Sequence, residues 1–380
     1  MAGRPTLPLT VAYVSHNSHL LMGGQRSMVL LIEHLDRAKV RPLAICPAPG
    51  ELSEALQAFD CPVVHIPFPR IKPRTLGQVF DSRRRIRALL RERRIDIISP
   101  DGSPAALTCG LAKLGTATKM VWHVRLTGRD NLDRINERLA DGMIGDSDAA
   151  RRRFSRSPRI QAKFRPVVGG VDLRVFQPVD DRRPLRARLG LPTDRGIVVQ
   201  VGQIKRGKGT LDLIEALALL KRQLPAERLP LLLLIGTVIE QDIVGEMERR
   251  IGAGGVRDAV RVLPQQRNVH EWMQAADVLV MASHEGTEGM SRVLYEAMAC
   301  GAVALGTDIS GNREAVTPES GVLVPERSPP ALARALAELL SDPAGMAAYR
   351  RHGLRRAREQ FDIRQHARAV EEFYLTGLRW

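Results

Sequence analysis

The stretch DVLVMASHEGTEGMSRVLYEAMACG (Asp277–Gly301) passes from an apolar run through a glycine-bearing loop into a helical pattern. Its opening run lacks period-2 alternation, as does LPLLLLIG (Leu229–Gly236). Runs of this kind suit strands buried on both faces, as in a parallel sheet. Working outward, similar short runs recur along the whole chain. The first half predicts strands at Leu9–Ser15, Arg41–Pro47, Pro62–Phe68, Asp96–Ser99, Lys119–Val124, Asp141–Gly145 and Phe164–Val168. The second half predicts them at Ile197–Val201, Leu231–Ile235, Val260–Leu263, Val278–Met281, Ala302–Leu305 and Val322–Val324. Amphipathic stretches lie between them, among them Gln25–Leu35, Ser82–Arg93, Thr210–Gln223, Leu294–Cys300 and Gly345–Gln360. Strand–helix alternation repeated twice predicts an α/β protein of two Rossmann-like domains, each an open parallel sheet. A length of 380 residues suits two domains. The aperiodic segment Gly170–Asp181 marks the break, giving expected domains of 1–175 and 176–361. Residues 362–380 come after a further break and are free to return to the first domain.

Composition narrows the class. An apolar fraction of 44% and a charged fraction of 26% are those of a folded globular chain. No run approaches the length needed to span a bilayer, and Met1–Thr10 has no apolar leader-like region. Cys46, Cys61, Cys109 and Cys300 are far apart, with no metal-ligand spacing, so a reducing, cytoplasmic setting is expected. The formal charge of +15 attracts polyanions. Ten basic residues fall between Arg70 and Arg94, and a helix over 82–94 would carry an apolar stripe and a dense basic face. That face is either an ordinary solvated surface or a patch for an anionic membrane on the cytoplasmic side. No zinc finger, RRM or helix-turn-helix pattern accompanies the charge, so nucleic acid is not expected as a partner.

Ligands of open α/β sheets bind beyond the carboxyl ends of the strands, which directs attention to the residues just after each run. Gly23-Gly24 succeeds the first strand and opens a helix, where glycine lets backbone approach an anion. VGQIKRGKGT (Val201–Thr210) closes another strand and supports two readings. Gly202-x4-Gly207-Lys208 matches a phosphate loop as far as the lysine, but Gly209 stands where a metal-binding hydroxyl is needed. Otherwise the strand ends in a short turn, with Gly202, Gln203 and Arg206 as ligand contacts, that holds Lys208 near a diphosphate without any metal. In the opening stretch, Glu288 and Glu296 are eight residues apart, about 80° and ~12 Å along a helix, so they reach different parts of one elongated ligand. Backbone amides over Gly289, Met290, Ser291 and Arg292 face an anion at the helix start. WHVR (Trp122–Arg125) ends another apolar run, with His123 available to bond a hydroxyl or carry a proton. Asp146-Ser147-Asp148 resembles a metal-holding pair, but a helix cap is the simpler account.

Taken in order, these pieces resemble the retaining GT-B glycosyltransferases, particularly family 4. The elements that carry the resemblance are Gly23-Gly24, DIISPDG (Asp96–Gly102), WHVR, GGVDLRVFQP (Gly169–Pro178), VGQIKRGKG, Glu288-x7-Glu296 and TDISGNREAV (Thr307–Val316). The Glu-x7-Glu stretch is the most specific. The resemblance implies two Rossmann-like domains facing each other across a cleft, and transfer of a hexose-type sugar from a UDP- or GDP-sugar donor. The implied acceptor is a lipid-linked, glycan or other hydroxyl compound. It also implies catalytic roles for Glu288, His123 and Lys208, and donor contacts from Glu296 and Gly24, without metal or other cofactor. Gln203 replaces an arginine common in the family, and Gly169 replaces an asparagine. An epimerase acting on a UDP-N-acetylhexosamine, or an inactive sugar-nucleotide-binding relative, would share the architecture.

Overall fold

The computed structural model describes residues 6–20, 23–69 and 72–380; Arg70, the first residue of the basic stretch, lies outside them. The chain forms two compact units. One comprises the residues up to Gly170 together with Ile363–Trp380, and the other Val171–Asp362. The division comes slightly before the expected position 175 because Val171 bridges to Asp362 and its N–H donates to Phe361 O at 2.7 Å. These contacts tie the start of the second unit to its own end.

Among the described residues the first unit is built on seven strands: β1 (Leu9–Val14), β2 (Val40–Cys46), β3 (Val63–His65), β4 (Ile97–Pro100), β5 (Lys119–Val124), β6 (Gly142–Gly145) and β7 (Phe164–Pro166). Their order is β3-β2-β1-β4-β5-β6-β7, and all pairings are parallel. The second unit has six: β8 (Ile197–Val201), β9 (Leu231–Ile235), β10 (Val260–Leu263), β11 (Val278–Met281), β12 (Val303–Thr307) and β13 (Gly321–Val324). Their order is β10-β9-β8-β11-β12-β13, again parallel. In each sheet the order reverses once, between β1 and β4 and between β8 and β11. Those two positions are the switch points at which open α/β sheets hold ligands.

The apolar runs explain the sheets. Every residue of β9 is buried, as is every residue of β11, so both faces must be covered by helices. Helix Thr210–Lys221 covers one face of the second sheet with Leu213, Ile214, Leu217 and Leu220, all within the core. Each such side chain contributes about 1.5–3 kcal/mol on full burial. The amino end of β11 is fixed by Asp277. Its carboxylate accepts from the Ile197 N–H at 2.9 Å, Arg186 at 2.8 Å, Arg350 at 2.9 Å and Arg182 at 3.2 Å.

The carboxyl-terminal helix Ile363–Thr376 belongs to the first unit, where Ala367, Val370, Phe373 and Tyr374 join the core around Leu9, Val11 and Tyr13. Its buried Glu371 accepts from the Asp36 N–H at 2.7 Å and from Lys39 at 3.2 Å.

The basic helix runs over Leu76–Glu92, so it starts earlier than 82 and ends before Arg93. A turn at Pro73–Thr75, closed by the Lys72 N–H donating to Thr75 Oγ1 at 3.0 Å, begins it. Ser82, Ile86, Leu89 and Leu90 form its buried stripe. Part of its basic face is spent on structure: Arg83 donates to Leu111 O, Arg85 to His65 O, and Arg84 pairs with Asp81. All four cysteines are buried and free. No helix among the described residues is long and apolar enough to cross a membrane.

Candidate functional site

At the switch point of the second unit, the loops after β8 and β11 meet. Gln200, at the end of β8, donates from Nε2 to Lys208 O at 2.7 Å. From the other loop, the His284 N–H donates to Gly207 O at 3.0 Å, and Thr287 Oγ1 donates to the same carbonyl at 3.2 Å. His284 Nε2 also lies 2.8 Å from Asp212 Oδ2 on helix Thr210–Lys221. These ties fix the two loops to each other, and their outcome is an ion pair between Lys208 Nζ and Glu288 Oε1. Both side chains are largely buried, at 13% and 11% exposure. Ser283 Oγ donates to the same Glu288 oxygen at 2.9 Å, and Thr307 Oγ1 in turn donates to Ser283 O.

Helix Arg292–Ala299 begins directly after this pair. Gly289, Met290 and Ser291 at its entry are all buried, and Ser291 Oγ has no hydrogen-bond partner among the described residues. A buried hydroxyl of that kind calls for an explanation, and a ligand oxygen at the helix start would supply one. Glu296 is buried, and its Oε1 accepts from Arg292 at 2.9 Å. The segment is held from outside by Gly311, where a Cβ would collide with Gly289 O.

The structure therefore brings together Lys208, Glu288, Ser291, Arg292 and Glu296, with Gly202 and Gln203 in the loop that opens the site. It does not bring Arg206 to them. The Arg206 guanidinium is exposed and bonded to Glu240 at 3.1 Å, Asp242 at 2.9 Å and Glu246 at 3.3 Å. Those carboxylates, Asp242 first, raise its pKa. Reading the loop alone missed them because Glu240–Glu246 come after a different strand. The phosphate-loop reading also fails on geometry. Gly209 takes the place of the metal-binding hydroxyl in a left-handed conformation, and Thr210 is buried in the helix.

The first unit carries its own set at the carboxyl ends of β1, β4 and β5. Gly23 opens helix Gly23–His34, and Gly24 abuts an ion pair: its Cβ would come 2.8 Å from Asp101 Oδ2 and 3.1 Å from Arg125 Cδ. Arg125 Nε donates to Asp101 at 2.9 Å, and its Nη1 reaches Asp146 at 3.4 Å. Burial opposes the Arg125 charge, but Asp101 and Asp146 outweigh it and raise its pKa. Asp146 is thereby occupied, Asp148 pairs with Arg151, and Ser147 Oγ accepts the Ala150 N–H at 3.3 Å, which is a capping arrangement.

His123 is 6% exposed, with Nε2 3.4 Å from the Tyr374 hydroxyl. Burial, then the charges of Arg125 and His366, push its pKa well below the usual histidine range. It is therefore held neutral, as a hydrogen-bonding group. Because the unfolded chain protonates this imidazole near pH 6.5 while the folded one does not, folding stability should fall as pH drops below that value. Melting curves between about pH 7.5 and 5.5 should show a shallower loss for His123→Asn than for the wild type.

With this geometry in hand, comparison with known proteins is decisive. Residues 22–175 match the family profile described as Glycosyltransferase Family 4, and residues 181–360 match Glycosyl transferases group 1. The chain belongs to the family 4 glycosyltransferases of GT-B fold. Among curated relatives of this GT-B glycosyltransferase, the D-inositol 3-phosphate glycosyltransferase of Jonesia denitrificans is 35% identical over 206 residues. That match covers 52% of this chain and 48% of the relative. The protein of the same name from Streptomyces bingchenggensis is 31% identical over 261 residues, covering 67% and 56%. The chain thus spans about half the length of the curated relatives it matches. HepE of Anabaena, a crystal structure in complex with UDP, superposes with a TM-score of 0.83 at 20% identity, covering 96% of this chain and 99% of that one. That likeness bears on the fold alone.

Proposed function

We propose that the protein is a retaining glycosyltransferase that moves a hexose-type sugar from a UDP- or GDP-sugar to a hydroxyl acceptor on a glycan or lipid-linked compound, without metal. The observation that carries this reading is the convergence of Lys208 and Glu288 at the β8/β11 switch point, beside a helix start with an unpartnered serine. A diphosphate placed there meets the Lys208 ammonium and the amides over Met290–Arg292, which is the charge stabilisation a departing diphosphate needs. Glu296, further along the helix, is spaced to meet the ribose. Structures of HepE with UDP and with UDP-glucose are consistent with a nucleotide-sugar donor.

In the reaction, the bond from the anomeric carbon to the β-phosphate oxygen breaks as the acceptor oxygen bonds the same face of that carbon. The acceptor proton passes to the departing phosphate. Glu288 lies beside the transferring sugar and Lys208 beside the leaving group. The basic helix Leu76–Glu92, with Phe80 exposed one turn ahead of its arginines, suits attachment to an anionic membrane surface on the cytoplasmic side.

A thermal-shift series with UDP, GDP, ADP, ATP and their sugar derivatives tests the donor reading. Mass action raises the melting temperature for any ligand of the native state, by the equivalent of ~2.7 kcal/mol at a hundredfold excess over Kd. A rise with a UDP or GDP compound that persists in EDTA is expected. A response confined to ATP with magnesium would overturn the reading.

A further inference from the structure

We infer that Tyr374, on the carboxyl-terminal helix, is a positioning residue for His123. Its hydroxyl donates to His123 Nε2, fixes the imidazole as the Nδ1–H tautomer and leaves that N–H as the group offered to a ligand.

Strand alternation brings these side chains together. Met120, Trp122 and Val124 of β5 enter one core of the first unit and Val121 enters the other, so His123 shares the face of Val121. By the same alternation Ser99 shares the face of Ile97 on β4. Helix Ile363–Thr376 packs on that face through Val370 and Phe373. Its Tyr374 hydroxyl lies 3.4 Å from His123 Nε2 and 3.4 Å from Ser99 Oγ, and all three residues are buried.

The phenol is held from both directions. One turn earlier Glu371 accepts from the Asp36 N–H and from Lys39, and beyond it the Trp380 indole N–H donates to Tyr374 O at 3.1 Å. A phenylalanine would fill the same space without placing a polar group in an apolar core. Burying a hydroxyl costs free energy unless it is hydrogen-bonded, so the Tyr374 oxygen is there for the bonds it makes.

Those bonds decide which nitrogen of His123 carries the proton. A neutral imidazole has one N–H and one lone pair, and the partner of one nitrogen sets the role of the other. Burial pushes the Tyr374 phenol up to about 12, so the phenol keeps its proton and can donate. Nε2 then supplies the lone pair, Ser99 donates to the phenol oxygen, and the imidazole proton is left on Nδ1. That nitrogen has no hydrogen-bond partner among the described residues, although His123 is only 6% exposed. An unpaired N–H on a buried ring at the carboxyl end of β5 is placed for a ligand oxygen. On the transferase reading, on which the inference rests, that oxygen is a hydroxyl of the transferring sugar. The Tyr374 contacts are long for hydrogen bonds and should tighten when the ligand loads the far side of the ring.

Nitrogen NMR of the full chain with ¹⁵N-labelled histidine, and no ligand added, tests the tautomer. The His123 signals are those missing from His123→Asn. The wild type should show His123 as Nδ1–H, Tyr374→Phe should move it toward Nε2–H, and Ser99→Ala should leave it unchanged. An Nε2–H tautomer in the wild type overturns the inference, which keeps the test decisive even should Tyr374→Phe fail to fold. An unaltered tautomer in a folded Tyr374→Phe overturns it too. With the UDP- or GDP-sugar found by thermal shift, Tyr374→Phe should lower kcat roughly 5–10-fold, the value of one hydrogen bond. The double variant with His123→Asn should then be no slower than His123→Asn alone. Losses that multiply would make Tyr374 a merely structural residue and reject the proposal. A wild type that turns over no UDP- or GDP-sugar would reject the transferase reading, and the tautomer comparison then judges Tyr374 by itself.

Discussion

A Lys208→Ala protein should fold and turn over about 10²–10³-fold more slowly than the wild type, the usual consequence of losing one preorganised charge at a developing anion. The structure gives this expectation a specific form. Lys208 is not a mobile surface lysine. Its backbone carbonyl is held by Gln200, its loop by His284 and Thr287, and its ammonium by Glu288. Removing it deletes a positive charge and also leaves a largely buried carboxylate with Ser283 as its neighbour. Breaking one side of a buried pair destabilises by more than the pair contributes. The two effects are separable by a double variant. Lys208→Ala/Glu288→Gln should recover most of any lost thermal stability, since the uncompensated charge is gone, while its rate stays low. Release of nucleoside diphosphate from the identified donor, measured alongside melting temperature, reads both. Full activity in Lys208→Ala would sink the proposed mechanism, whatever the stability.

Much of this arrangement was legible in the sequence, and the reasons differ by element. Each of the thirteen strands among the described residues overlaps an expected run, and the central ones such as β9 and β11, buried along their whole length, need unbroken apolar residues and cannot disguise them. Several helices were less visible. Ser103–Lys113 buries seven of its eleven residues, so it lacks the polar face that makes periodicity readable. Asp133–Leu139 is short and charged, and it is anchored by contacts from afar, among them Arg153 gripping Asp133 across 20 residues of chain.

In the candidate site, some residues carry a local signal in the sequence: Lys208 after a strand, and Glu288 and Glu296 around a helix start. Those that act across loops had no local signal. Asp212 is an ordinary helix residue until His284 is placed against it. Ser283 ends an apolar run, and nothing in the run announces its bond to Glu288. Arg206 shows the converse: a basic residue in the turn after β8 draws a functional reading, and the structure pairs it with acidic residues that come after β9.

Gly209→Ala should be among the most damaging single-methyl substitutions in the second unit, and Gly190→Ala provides its control. Both glycines have φ of +64°, a left-handed conformation that costs an L-residue roughly 1–2 kcal/mol. They differ in surroundings. A Cβ on Gly190 meets nothing within 4 Å, whereas one on Gly209 collides with the carbonyl oxygen of Ala282. Relief of that collision requires the loop after β8 to part from the loop after β11, and those loops carry Lys208 and Glu288. Gly190→Ala should therefore lower stability by about the backbone term alone and leave activity intact. Gly209→Ala adds overpacking against rigid backbone, typically about another 1–3 kcal/mol, and should also reduce donor binding by displacing Lys208. Chemical denaturation of both variants, together with nucleotide thermal shifts, distinguishes the cases. Equal destabilisation with unaltered nucleotide binding would mean that the close approach of the two loops at Ala282 plays no part in shaping the site.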